Sequence, residues 1–423
     1  MKRILDSISH ALVLAGRTGF IHLLSANLLI QIAGFGGQIF LTRILSVEDI
    51  GAIKILQSYL NIFVVLASLG LNTAVLKLAS EDIERKEQIN IFNICLILTI
   101  FSSLILIIIV YLLMDSSLLN IDPIFEKYIL ILPLLSLINL IIVYLQSQQK
   151  IKLISNVQSF SKIFIVIISV LIAYLYDFEA YIFSLIVLNF ITFIIIIPFI
   201  KHELITIIRV KFSKGILIKI KNIGIFALGA NLLSVLLANV NIIMASSLID
   251  NISEIAFYSI AQLIIITMMM IPSTLGQVMV PKISKVSKNL GEVFIMYKKY
   301  RIKNTILAIS VAILAGILAP FIIPFVFGEE YRNSVIYFEI LLIGFVCWSV
   351  YSPKSITLVG IGKSNYNFYV SLISFVFNVI LNYFLIKSLG VIGAALANSI
   401  TYFITIFINI FFFEKIFKKG ELN

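Results

Sequence analysis

The chain has 423 residues, of which 61% are hydrophobic and only 13% charged, with a mean hydropathy of +1.10. A water-soluble globular protein of this length could not cover its surface with so few polar groups. The formal charge of +11 is spread over several loops with no nucleic-acid-binding module beside it, which argues against a nucleic-acid partner and for an all-α polytopic membrane protein.

At the start, Met1-Lys-Arg has the look of a signal-peptide n-region, but Asp6 and His10 interrupt the apolar run and no small-residue cleavage site follows. Residues 2–15 read instead as an interfacial helix with Ile4, Leu5, Ile8 and Leu12 on its apolar face.

About twelve apolar segments of spanning length follow, near 25–45, 53–72, 91–114, 128–146, 157–176, 180–200, 223–249, 255–280, 305–327, 335–352, 367–386 and 391–413. Six fall in each half. With both termini in the cytoplasm, the inside segments hold all but five of the 32 Lys and Arg, the five being Arg43, Lys54, Lys127, Arg332 and Lys387.

The first two spans carry polar residues at helical spacing. Asn27, Gln31, Gly34, Gln38 and Thr42 form one stripe, and Lys54, Ser58, Asn61, Ser68 and Asn72 another. Lipid would leave these groups without partners, so the stripes face protein or a wet cavity. Interhelical hydrogen bonding would satisfy the amides equally well. Lys54 is harder to place, since a cation inside a span costs about 2.5–3.5 kcal/mol on insertion scales.

Span four carries Pro133, a candidate kink, and Lys162 near the inner end of span five either faces the cavity or snorkels to the headgroups. Residues 201–222 form a basic loop expected to lie on the anionic inner leaflet. That loop divides the chain into two six-helix lobes, 1–215 and 216–423.

The second lobe repeats the first. Ser25-Ala-Asn-Leu-Leu29 returns as Gly229-Ala-Asn-Leu-Leu233, and Leu69-Gly70 with Lys77 returns as Leu275-Gly276 with Lys282. Span seven presents Asn231, Ser234, Asn241 and Ala245 on one stripe. Because each half has an even number of spans, the lobes should be parallel repeats around a central cavity.

Pro353-Lys354 at the end of span ten reads as an inner boundary, with Trp348 and Tyr351 as interfacial aromatics. Ser371, Ser374, Asn378 and Asn382 on span eleven, and Asn398, Thr401, Thr405 and Asn409 on span twelve, read as packing seams.

By this topology every carboxylate lies in a loop or at a span end, where cation-coupled transporters usually keep one at mid-membrane. His10, His22 and His202 are scattered, and neither Cys95 nor Cys347 fits a metal or disulfide framework. No Gly-rich nucleotide loop occurs, so neither an enzyme nor a cofactor is expected. An amide-rich cavity with a few cations suits a hydroxyl-rich anionic cargo.

The order and spacing of several motifs resemble a known family. Arg43-Ile-Leu-Ser-Val-Glu-Asp-Ile-Gly51, Ser68-Leu-Gly-Leu71 with Lys77, Tyr258-Ser-Ile-Ala261 with Pro281-Lys-Ile-Ser284, Phe327-Gly-Glu-Glu-Tyr331 and Gly393-Ala-Ala395 are similar to those of polysaccharide flippases. These are the O-antigen and capsule repeat-unit translocases of the multidrug/oligosaccharidyl-lipid/polysaccharide exporter superfamily. Lys387 departs from the proline frequent there.

The resemblance implies alternating-access transfer of undecaprenyl-pyrophosphate-linked oligosaccharide from the inner to the outer leaflet of a bacterial plasma membrane, by a monomer working alone or beside polysaccharide-assembly proteins. On that view Arg43 and Lys54 meet pyrophosphate in the outward half and Lys162 in the inward half, while Asn27, Gln31, Gln38, Asn61, Asn231 and Asn241 meet sugars. The alternative is a cation-coupled small-molecule antiporter of the same superfamily.

Overall fold

In hydrocarbon a backbone N–H or C=O has no water to bond, so an apolar chain of this kind must close its hydrogen bonds within each segment, as a helix does. The computed structural model describes residues 20–116, 121–207 and 210–420. Side chains are described from Leu29 onward, except at 271, 274, 275, 277, 278, 281 and 418–420. The expected interfacial helix at 2–15 lies outside the described residues, as does the side chain of Asn27.

Every element among the described residues is a helix. In chain order they are α1 (Phe20–Ile44), α2 (Val47–Ser68), α3 (Leu71–Leu78), α4 (Arg85–Asp115), α5 (Ile124–Tyr128), α6 (Ile131–Ser147), α7 (Ile151–Leu175) and α8 (Phe178–Ile196). After a 3-10 turn come α9 (Lys201–Ile205), α10 (Lys214–Leu248), α11 (Ile252–Lys285), α12 (Leu290–Phe327), α13 (Ser334–Gly360), α14 (Asn365–Leu389) and α15 (Val391–Gly420).

Eleven helical stretches are long and apolar enough to cross a membrane, and the described apolar part of α1, Leu29–Ile44, is shorter. Each of the twelve expected spans falls on one of these helices. The protein is a multi-pass membrane protein.

Local chemistry sets several boundaries. Ser46 and Asp49 form a reciprocal cap at the start of α2: the Asp49 amide donates to Ser46 Oγ at 3.1 Å and the Ser46 amide to Asp49 Oδ2 at 3.3 Å. Asp177 caps α8 by accepting from the Ala180 amide at 2.8 Å. Pro198 falls in the 3-10 turn Ile197–Ile200 that ends α8.

Pro133 sits in the first turn of α6, where its missing N–H costs nothing, and the helical run of this span is interrupted at Ile129 and Leu130, just before it. α13 runs past Pro353-Lys354 to Gly360, and Lys354 is buried within it.

The chain forms two compact units, the first running to Leu45 and taking in Tyr59–Leu232, the second made of Ser46–Ser58 with Leu233 onward. Two helices therefore contribute to both, α2 changing unit after Ser58 and α10 after Leu232. In the first unit α6 is central, packed against α3, α4, α7 and α8, while α1 lies along α7. In the second, α13 is central, packed against α11, α12 and α15, with α14 on α15.

Within the first unit, the break between α2 and α3 depends on Gly70. Its φ is +72°, and a Cβ there would run into the Gly224 carbonyl of α10. In the second unit Gly51 of α2 lies similarly tight on the Ile252 backbone, and Ser253 Oγ donates to Glu48 at 2.5 Å.

An ion pair joins α4 and α9 in the first unit. Glu203 on α9 is buried and pairs with Arg85 on α4 at 2.7 Å. It also accepts from Tyr144 Oη of α6 at 3.2 Å, and the Tyr144 ring stacks on Phe92 with centroids 4.1 Å apart. Asn93 Nδ2 donates to the Glu203 carbonyl at 2.9 Å.

Asn90 then clasps the Lys211 backbone, donating to its carbonyl at 3.0 Å and accepting from its amide at 2.8 Å. The middle of the basic loop is thus held on α4 by the Asn90 side chain.

Two stability changes follow, each read as the unfolding midpoint of detergent-purified protein. Gly70→Ala, which adds both αL strain and a backbone clash, should cost at least about 2 kcal/mol; parent-like stability would contradict the close approach. Arg85→Gln should cost about 2 kcal/mol, less than the roughly 3–5 of a fully buried pair because Arg85 is half exposed. Adding Glu203→Gln should restore part of that loss, since the buried charge is then gone.

Candidate functional site

In the second unit the polar stripes of α10, α14 and α15 meet. Asn382 Nδ2 donates to Asn241 Oδ1 at 2.7 Å and lies 3.0 Å from Asn378 Oδ1. Asn378 Nδ2 donates to Thr401 Oγ1 at 3.1 Å, and Asn241 Nδ2 to Tyr258 Oη at 3.0 Å. All five side chains are buried.

Such a chain forms because each amide carries both donors and an acceptor, so one residue can satisfy neighbours on two helices. Its worth lies in what its loss would leave, since an unpaired buried polar group costs about 1–3 kcal/mol. Further along the seam Ser374 and Thr405 share a hydrogen bond of 2.8 Å.

The seam does not close completely. Along α13, α14 and α15 it opens into a cavity of about 290 Å³. Its wall includes Asn367, Ser371, Ser374, Asn378, Asn398 and Thr401, together with the rings of Trp348, Tyr351 and Tyr402. No charged side chain is among the described residues that line it. The Tyr351 and Tyr402 rings lie 6.3 Å apart, tilted by 41°.

The sequence-predicted site residues are spread between the two units. Asn241 sits in the buried network just described. Lys54 is half-buried on the part of α2 that belongs to the second unit. In the first unit, Arg43 is exposed in the last turn of α1, Gln31 is exposed and Gln38 buried on the same helix, and Asn61, Lys162 and Asn231 are exposed on α2, α7 and α10.

Sequence reasoning read the polar spacing on spans eleven and twelve as packing seams and missed the cavity beside them. Trp348 and Tyr351, expected as interfacial aromatics, also line it. No local signal marks the cavity, because it depends on which helices become neighbours. The Arg85–Glu203 pair was also missed, because a loop carboxylate gives no sign of burial.

No group of His, Cys, Asp and Glu able to hold a metal occurs among the described residues. Cys95 and Cys347 are free thiols.

Comparison with known proteins fits this architecture. The structure resembles that of the lipid II flippase MurJ in an inward closed conformation, with a TM-score of 0.73 at 17% identity, covering 92% of this chain and 87% of that one. An inward-facing multidrug resistance MATE transporter of the MOP superfamily gives 0.69 at 13% identity, covering 94% of this chain and 99% of that one. At these identities the likeness establishes the fold alone.

By sequence, the chain is 28% identical over 151 residues to the capsular polysaccharide biosynthesis protein CapF of Staphylococcus aureus, 34% of this chain and 37% of that protein. It is also 28% identical over 155 residues to an uncharacterized membrane protein of Methanocaldococcus jannaschii, 36% of each chain. The matched stretch spans little more than a third of the length of these curated relatives.

The family model described as "Polysaccharide biosynthesis protein" matches residues 40–336. With most of its length inside that match, the chain belongs to the polysaccharide biosynthesis protein family.

Proposed function

We propose that this protein is a flippase that carries undecaprenyl-pyrophosphate-linked oligosaccharide from the inner to the outer leaflet of a bacterial plasma membrane by alternating access. The observation that carries the reading is a cavity with amide, hydroxyl and aromatic walls and no charged lining, in a member of the polysaccharide biosynthesis protein family that has the fold of a lipid II flippase. Such walls offer donors and acceptors to hydroxyl groups.

Arg43 and Lys54 are the proposed partners of pyrophosphate on the outer side and Lys162 on the inner side, as charge-assisted donors. Asn27, Gln31, Gln38, Asn61 and Asn231 are the proposed contacts of the sugar chain, with Asn241 positioned behind them by its buried partners. The prenyl tail stays in lipid. Both termini lie in the cytoplasm, and the protein acts as a monomer made of two six-helix lobes, 1–215 and 216–423, related as parallel repeats.

A cation-coupled small-molecule antiporter is the second reading, favoured by the fold shared with MATE transporters. Against it stands the cavity wall, which offers a cation no carboxylate.

Reconstitution tests the choice. Purified protein in liposomes with lipid-linked oligosaccharide should expose the sugar to an impermeant modifying reagent on the far side, at a rate that depends on protein. No transfer by folded protein, together with ion-driven export of an amphiphilic cation, would favour the antiporter.

Removing one charge-assisted contact loses about 1.5–3 kcal/mol, so Lys54→Gln should slow transfer by tenfold or more. Lys54→Arg should retain most of it. Transfer by Lys54→Gln at the parent rate, with normal protein levels, would remove Lys54 from the site.

A further inference from the structure

We propose that the cavity within the second unit is a subsite for a single uncharged sugar ring, which discriminates neutral and N-acetylated sugars from sugar acids. It rests on the flippase reading only for the choice of sugar as the ligand class.

Size comes first. The cavity of about 290 Å³ is on the scale of a single small ring. It lies close to the lower bound of about 300 Å³ for small-molecule sites.

The unspent polar atoms come second. Among the described residues, neither the Tyr351 nor the Tyr402 hydroxyl, nor the Trp348 indole N–H, nor the Ser371 hydroxyl makes a hydrogen bond, and all four side chains line the cavity. Asn367 Nδ2 donates to the Ser355 carbonyl at 2.9 Å, yet its buried Oδ1 has no partner. Along the same seam Ser374 pairs with Thr405, Asn378 with Thr401 and Asn382 with Asn241, while the Oδ1 atoms of Asn382 and Asn409 are, like that of Asn367, buried without a partner. Donors and an acceptor left open at a single cavity wall are what a polyhydroxylated ligand would engage.

The shape of the chemistry comes third. A pyranose has C–H faces and a rim of hydroxyls. Trp348, Tyr351 and Tyr402 supply apolar faces with polar tips, and Asn367, Ser371 and Asn398 supply groups for the rim.

Charge supplies the selectivity. A sugar carboxylate entering this wall would lose its hydration and meet no cation in exchange, whereas a neutral hydroxyl or acetamido group exchanges water for amides.

Trp348 is the only tryptophan of the chain, so its emission reports on this cavity alone. The experiment is a titration of the full-length detergent-purified protein, excited selectively at tryptophan, with glucose, galactose, N-acetylglucosamine, glucuronate and tetraphenylphosphonium in turn.

A saturable millimolar response to at least one neutral sugar and none to glucuronate is expected. Tyr402→Phe, which keeps the ring and loses one hydroxyl, should weaken it about fivefold, and Ser371→Phe, which fills the cavity, should abolish it. The proposal is overturned by no response to any neutral sugar in protein with a normal unfolding midpoint, by an equal response to glucuronate, by a response to tetraphenylphosphonium alone, or by an undiminished sugar response in Ser371→Phe.

The liposome assay separates this result from the flippase reading. Protein that transfers the lipid-linked sugar while Trp348 ignores every free sugar has lost the subsite and kept the function. A sugar response without transfer keeps the subsite and removes the function.

Discussion

One constraint governs this molecule: in hydrocarbon a polar atom must find its partner inside the protein. For the backbone the solution is the helix, and it holds through every described element. For side chains the solution differs from place to place, and those differences separate scaffold from candidate site. Asn241, Asn378 and Asn382 bond one another across α10 and α14, while Glu203 is satisfied by Arg85 and Tyr144. The rule is left incomplete at several buried atoms, among them Asn382 Oδ1, Asn409 Oδ1 and, in the cavity wall, Asn367 Oδ1.

The two units meet that constraint by different means. The first pairs the buried Glu203 with Arg85, which is half exposed. The second buries amides and hydroxyls along α14 and α15, and Lys354 on α13. A neutral network asks for no counter-ion, so it can run through a span, where a lone carboxylate would be expensive.

Much of this was legible in the sequence, and what was not has a physical reason. Helix positions follow from apolar runs, because spanning length and hydropathy act over about twenty residues and tolerate local error. The stripe on span seven identified Asn241, since a polar residue at helical spacing must face protein. Its partners were invisible: the joining of Asn241 to Asn382 depends on which helices become neighbours, and no local pattern encodes that. Burial of Glu203 and Lys354 escaped for a related reason, since each lies where a loop or boundary was expected and the helix continues past it. The cavity was hidden because a seam of serine, threonine and asparagine reads the same whether it closes fully or leaves space for a ring.

On the proposed reading, the distribution of charge also fits the demands of release. A carrier must hold its cargo firmly enough to select it and loosely enough to let it go, a balance familiar from pores that conduct. The cationic candidates Arg43 and Lys162 are exposed, and Lys54 is half-buried, so none of the three is sealed inside the protein. The buried cavity is uncharged, so its hold on a sugar would be the sum of exchanged hydrogen bonds, each worth only about 0.5–1.5 kcal/mol net. A buried cation in that cavity would reverse the balance, holding an acidic sugar with a strength that no change of access could easily undo. Neutral walls in the cavity and cations outside it are the arrangement under which, on this reading, one carrier can both recognise a charged lipid-linked glycan and release it.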